Sequence, residues 1–312
     1  MTQQLAAPAA PLDSPAVPGP PSGPPVAEPP VAVAGPAPRA VRRPGRLLRV
    51  GWSATLLAGL LLGFVGYLVA LSGLQEQHYQ AATYQTFRYQ LANATAPTGA
   101  AADGTPVAVL DIPAIGLEHA VVVEGTSGRD LMRGPGHRRD TALPGQQGTA
   151  VLFGRGTAFG APFGRLAALR LGDKIYATTG QGRFSYTVNA YGDGSHPIRD
   201  PAAPARLVLT TSDSGWIPTG TVLVGARLDG PAQDNPYGRP ALLPADHALA
   251  VDAGALAALQ LWALALFGAV LAATVAARSW QRRAAYLASA PVVAALLWAV
   301  YENAAALLPN LY

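Results

Sequence analysis

The 312-residue sequence has no cysteine, which excludes a disulfide framework, a thiol nucleophile and a thiolate metal centre. Its net charge of +4 comes from arginines that flank apolar segments, which excludes a broad nucleic-acid-binding face as its source. Lys174 is the only lysine.

Residues 1–46 are dominated by PP, GP and AP pairs with almost no large apolar side chains. Such a stretch cannot bury enough surface to offset the entropy of ordering, and it reads as a disordered cytoplasmic tail. Arg39, Arg42, Arg43, Arg46 and Arg49 then lead into the apolar segment 47–74. That segment is longer than a secretory h-region and has no small-residue cleavage site, so it reads as a retained transmembrane helix. The arginines place its first end in the cytoplasm.

Residues 75–105 form an extracytoplasmic stalk and linker. The polar run QEQHYQAATYQTFRYQLAN carries Tyr79, Tyr84, Phe87 and Tyr89, and reads as a continuing helix. An interfacial aromatic belt and a partner-binding stripe both fit these rings.

From 106 to 229 the pattern changes to short alternating strands: Val107 to Ile112, Ala120 to Val123, Thr149 to Phe153, Ile175 to Thr178, Phe184 to Ala190, Arg206 to Thr211 and Thr221 to Ala226. Gly180-Gln181-Gly182 is a hairpin turn, and Ser127 to Met132 and Pro162 to Leu166 read as single helical turns. Strands at this spacing predict a compact barrel or sandwich. Gly154-Arg155-Gly156 turns the chain directly after one strand, which predicts an exposed Arg155 at the strand's exit.

A Pro-containing connector, 230–252, leads to two further spans, 253–277 and 284–308, separated by a basic loop, 278–283. The positive-inside rule puts that loop and the first tail in the cytoplasm, with the strand-rich domain and Tyr312 outside. The expected location is therefore the plasma membrane, with three spans. Glu302 and Asn303 sit inside the last span, where snorkelling to the interface and a helix–helix contact with another membrane protein, shared by Gln260, are both open readings.

Six motifs in one order identify a resemblance. LDIPAIGL at Leu110 to Leu117, GPGH at Gly134 to His137, TALPGQQG at Thr141 to Gly148, GAPF at Gly160 to Phe163, LRLGDKI at Leu169 to Ile175 and VLTTS at Val208 to Ser212 resemble the sortases, membrane-bound cysteine transpeptidases of Gram-positive bacteria. The actinobacterial class E type is the most similar. The resemblance implies an all-β, eight-stranded sortase-type barrel with short helices, carried here beside three transmembrane helices.

The departures fall where the family keeps its chemistry. Arg155 stands at the position of the family's histidine, Ser212 at that of the nucleophilic cysteine, and Thr221 is the match for the arginine that stabilises the tetrahedral intermediate. A serine hydroxyl needs a neighbouring general base, and a permanently protonated arginine cannot serve as one. Losing one oxyanion donor alone typically costs about 10²–10³ in rate. No catalytic residue is therefore expected, and the leading reading is an inactive pseudo-sortase acting as a binding or scaffold partner at the cell envelope.

Two alternatives stand beside it: a hydrolase or acyltransferase with Ser212 as nucleophile, for which His196 is the candidate base, and a membrane-complex subunit acting through its C-terminal hairpin. Arg155, Ser212 and His196 are the candidate groove residues. A peptide or another envelope membrane protein is the expected partner, and nucleic acid is not. His137 reads as structural, and His78, His119 and His247 are too scattered for a metal site, so neither metal nor cofactor is expected.

Overall fold

Alternating apolar side chains in eight strands close a barrel in the order β1-β2-β3-β4-β7-β8-β6-β5. The computed structural model describes residues 46–198, 204–213, 217–235, 238–279 and 282–312, together with Gly19 and Gly23. Nearly all of the Pro/Ala-rich tail, residues 280 and 281 of the basic loop, and residue 214 after β7 lie outside them. Trp52–Tyr312 form one compact unit and Met1–Gly51 another.

The strands are β1 Pro106–Ile112, β2 Leu117–Glu124, β3 Gly136–His137, β4 Gly148–Phe153, β5 Lys174–Thr179, β6 Gly182–Asp193, β7 Ala205–Ser212 and β8 Thr221–Leu228. Inside the barrel, Leu110, Ile112, Leu152, Phe163, Ile175, Tyr186, Leu207 and Val224 pack as one buried core. β7 is buried at every position, as expected for a strand covered on both faces. It runs parallel to β4 and antiparallel to β8.

β3 has only two residues, too few to alternate, and the sequence pattern gives GPGH as a turn. The helical turn expected at Pro162 to Leu166 forms instead as a 3-10 turn at Leu166–Ala168.

Four long helices accompany the barrel: α1 Arg46–Gly66, α2 Ser72–Ala92, α3 Ala255–Ser279 and α4 Arg282–Ala306. A π-helical turn, Tyr67–Leu71, joins α1 to α2. Among the described residues three continuous helical stretches, Ser53–Ala92, Ala255–Ser279 and Arg282–Ala306, are long and apolar enough to cross a membrane. Leu56, Leu61, Leu62, Leu261, Leu264, Phe267 and Leu287 point outward from them, a surface that hydrocarbon and not water would cover.

The aromatic residues of α2 are used in packing. Phe87 is fully buried against Val109 and Val121 of β1 and β2, which corrects the expectation of an interfacial belt or a partner-binding stripe for this ring. Tyr84 stacks on His119 at 5.3 Å. Gln80 binds the main chain of β2 like a strand residue: it accepts from the Val121 N–H at 2.7 Å and donates to the Val121 carbonyl at 3.0 Å and the Arg133 carbonyl at 2.7 Å.

Candidate functional site

Strand register brings the three substituted positions together. Phe153 of β4 is paired with Thr210 of parallel β7, so two residues further along each chain Arg155 and Ser212 leave adjacent strands, about 4.8 Å apart in the sheet. Ser212 is the Cα partner of Thr221 across β7 and β8. Side-chain alternation puts Val151, Phe153 and Arg155, Val208, Thr210 and Ser212, and Thr221 and Leu223 on the outer face of the barrel wall. That face is the floor of a groove.

Arg155 is not exposed there. Its side chain is fully buried, which corrects the expectation drawn from the Gly-Arg-Gly turn. Nη2 donates to the Gly128 carbonyl at 2.9 Å and Nη1 to the Tyr312 main-chain oxygen at 3.4 Å. The guanidinium carbon lies 4.9 Å from the centre of the Phe159 ring, a cation–π contact. Phe159 adopts φ 53° to reach this place, the left-handed region that non-glycine residues rarely occupy. No side-chain carboxylate among the described residues pairs with Arg155, and burial pushes its pKa down to about 10.

The cover comes from the segment that follows α4. Leu311 is fully buried among Leu131, Val151, Phe153 and Val208, and its carbonyl accepts from the Gly156 N–H at 3.0 Å. Asn310 donates to the Thr126 carbonyl at 2.8 Å and the His247 carbonyl at 2.9 Å. Gly156 itself must lack a side chain, since an added Cβ would lie 2.7 Å from Ser212 Oγ. No local pattern in the sequence marks Asn310, Leu311 or Tyr312 as site residues; they reach the strand exits from more than 150 positions away.

The connector joins in. Asp246, 1% exposed, accepts from the Thr126 N–H at 3.3 Å and lies 2.7 Å from Arg139 Nε. Together these contacts hold the loop that carries Gly128.

Part of the groove stays open. A cavity of about 350 Å³ lies on Val151, Phe153, Val208, Thr221 and Leu223, walled by Pro197 and Ile198. Arg155, Ser212 and His196 do not line it, contrary to the expectation for the groove. The first is sealed and Ser212 is only 8% exposed. His196 is turned to solvent, its side chain 85% exposed and its Nδ1 3.2 Å from Asp193.

His137 is structural. Its Nδ1 lies 2.8 Å from Glu124 Oε2 and its Nε2 2.9 Å from the Ala142 carbonyl, all of it buried. Among the described residues no group of histidine and carboxylates could hold a metal ion.

At the other candidate site, Asn303 is buried and accepts from Arg129 Nη2 at 2.9 Å. Glu302 accepts weakly from Gln75 at 3.4 Å. Gln260 is exposed on α3.

These features define a helix-tethered closed β-barrel with its site at the shared exit of a parallel strand pair. Residues 110–226 match the family model described as the Sortase domain and carry the chain's likeness to the sortases. Over 86 residues it is 36% identical to Sortase D of Bacillus subtilis (strain 168), covering 27% of this chain and 41% of that relative. The chain thus spans about two fifths of the length of that curated relative. Among solved structures, sortase E from Streptomyces avermitilis is similar at 28% identity and TM-score 0.36, over 42% of this chain and 91% of that one. Sortase A from Corynebacterium diphtheriae is similar at 20% identity and TM-score 0.37, over 50% of this chain and 87% of that one.

Proposed function

We propose that this protein is a membrane-anchored, non-catalytic member of the sortase family whose barrel is a scaffold and binding module at the cell envelope. The observation that carries this reading is the commitment of Arg155. At the position where the resemblance places a histidine, a guanidinium is buried against Phe159 and bonded to two main-chain oxygens. It can neither accept a proton nor move to a ligand without breaking those bonds. Leu311 over the same strand exits favours a barrel that grips the segment following the membrane hairpin, so that helices and barrel act as one platform.

The arginines before the first span and in the 278–283 loop support an orientation with the barrel outside the cytoplasm. The remaining groove cavity has an apolar floor with threonines at its edges, a lining suited to an extended peptide.

The test is labelling and turnover by the full chain in detergent, using a serine-reactive fluorophosphonate and a set of sorting-signal peptides. Ser212→Ala and Arg155→His/Ser212→Cys variants run alongside. The expected result is no labelling and no turnover by the wild type, with peptide still bound. Wild-type turnover that disappears in Ser212→Ala would overturn the reading in favour of a serine enzyme.

A further inference from the structure

A cavity of about 390 Å³ lies where the barrel meets the helices, far from the strand exits in sequence and chemistry. It draws Gln75 and Tyr79 from α2, Glu302 and Asn303 from α4 and Arg129 and Arg133 from the turn before β3. Two of its charged side chains, Arg133 and Glu302, form no ion pair among the described residues. Arg129 is committed, donating to Asn303 and lying 3.5 Å from Asp252. The Arg133 guanidinium rests on the Tyr79 ring at 5.1 Å and makes no ion pair among the described residues.

Among the described residues Glu302 has no cation within 4 Å either. Two opposite charges therefore line one cavity without pairing with each other. A carboxylate near hydrocarbon is expensive unless it faces a partner, and the geometry leaves room for one ligand that satisfies both.

The position of the cavity narrows the ligand. Glu302 is four residues from the end of α4, about 6 Å along the helix. Trp262 also lines the cavity and is 42% exposed. Tryptophan favours the headgroup level of a bilayer, and Ala258 and Ala299 complete an apolar wall that an acyl chain can follow.

We propose that this cavity binds the headgroup of a zwitterionic aminophospholipid, its phosphate on Arg133 and its primary ammonium on Glu302. Phosphate and guanidinium make charge-assisted hydrogen bonds of the strong kind, and a primary ammonium has three N–H donors for the carboxylate. A headgroup with the phosphate alone would leave Glu302 unpaired beside a second anion. The proposal rests on reading the three helices as membrane spans.

The test is lipid retention by the full chain, purified in detergent and read by native mass spectrometry after addition of phosphatidylethanolamine or phosphatidylglycerol. The wild type is expected to retain phosphatidylethanolamine about tenfold more strongly, the scale of one hydrogen bond to a charged group. Glu302→Gln, which keeps the side-chain shape, should erase that preference and leave phosphatidylglycerol binding intact. Arg133→Gln should weaken both lipids together, and Arg133→Lys should restore them in part.

Equal retention of the two lipids by the wild type, or an unchanged preference in Glu302→Gln, overturns the proposal. Glycerophosphoethanolamine carries the same charges without acyl chains; if it competes as well as the lipid, the lipid assignment is overturned. Recovery of the expressed chain in the soluble fraction overturns the membrane reading as well. Recovery in membranes without lipid preference overturns this proposal alone.

Discussion

The guanidinium of Arg155 donates to the carbonyl of Gly128 across 2.9 Å inside a fully buried pocket. Gly128 in turn packs on the last turn of α4, where an added Cβ would lie 3.0 Å from the Ala306 carbonyl. One side chain therefore ties the strand exit to the loop under the α3–α4 hairpin. Arg155→Ala should destabilise the protein by about 2–4 kcal/mol, through a cavity beside Phe159 and two main-chain oxygens left unpaired. Arg155→Met fills most of the volume and removes a poorly solvated charge, so it should cost less. Urea unfolding of the detergent-solubilised chain checks the order. Equal stability of the wild type and Arg155→Ala would show that the buried contacts carry no net energy.

His137 and Glu124 form the second buried polar unit of the barrel. Both ring nitrogens face oxygen, at 2.8 Å and 2.9 Å, and Glu124 Oε1 has no other partner. Removing one member strands the other, so His137→Ala should cost about 3–5 kcal/mol. The double variant His137→Leu/Glu124→Leu should recover part of that loss, because it removes the stranded carboxylate, while Arg239 still loses the nearby charge of Glu124. A thermal melt of the three proteins decides the matter, and a double variant less stable than His137→Ala would contradict the argument.

The barrel was legible because its strands alternate: Leu207 and Leu209 face inward while Val208 and Thr210 face the groove. The resemblance matched Arg155, Ser212 and Thr221 to three functional positions of one family, and the strand register sets these positions at neighbouring strand ends. What local sequence could not reveal was cover supplied from a distance. Gly-Arg-Gly reads as exposed because its neighbours are small, and Leu311 returns to it only after three spans and a connector are in place. β3 escaped because two residues have no period. Phe87 looked like a membrane or partner residue because a polar helix gives no hint of the face that docks on β1 and β2.

Both loops beside the groove are held by carboxylates, which makes their order pH-dependent. Asp213 lies below its ordinary value, first through backbone hydrogen bonding at Gly220, then through Thr219. The Thr219 hydroxyl donates to it at 2.9 Å and the Thr219 N–H at 3.0 Å. Asp193 is lowered by the backbone N–H groups of His196 and Ser195, each at 2.7 Å. A folded value below the unfolded one stabilises above the unfolded value and is lost as the pH falls through the folded value. The loops should therefore be ordered above about pH 4 and loosen progressively below it. Hydrogen exchange at Ser195, His196 and Thr219 reads this directly. Asp213→Asn should loosen only the β7–β8 loop and make it indifferent to acid; acid sensitivity that survives the substitution would assign the effect elsewhere.

Leu311 is the residue on which the cover of the strand exits depends. Its side chain fills an apolar pocket of Leu131, Val151, Phe153 and Val208, while its carbonyl holds the Gly156 N–H. Leu311→Ala should weaken the local closure by about 2–4 kcal/mol. Leu311→Asp should release the segment, since an unpaired carboxylate does not persist in such a pocket. The amide of Gly156 then loses its acceptor and should exchange by at least tenfold faster, together with those of Asn310 and Leu311, whereas amides of β1 and β5 on the far side of the barrel should not change. Arg155 would lose one of its two main-chain acceptors at the same time, and the open cavity on Val151 and Val208 would extend toward Ser212. Peptide affinity that rises in Leu311→Asp would identify the segment as an occupant of the ligand groove. Exchange at Gly156 that stays at the wild-type rate would mean that the strand exits are closed by the barrel itself and not by the chain that follows the hairpin.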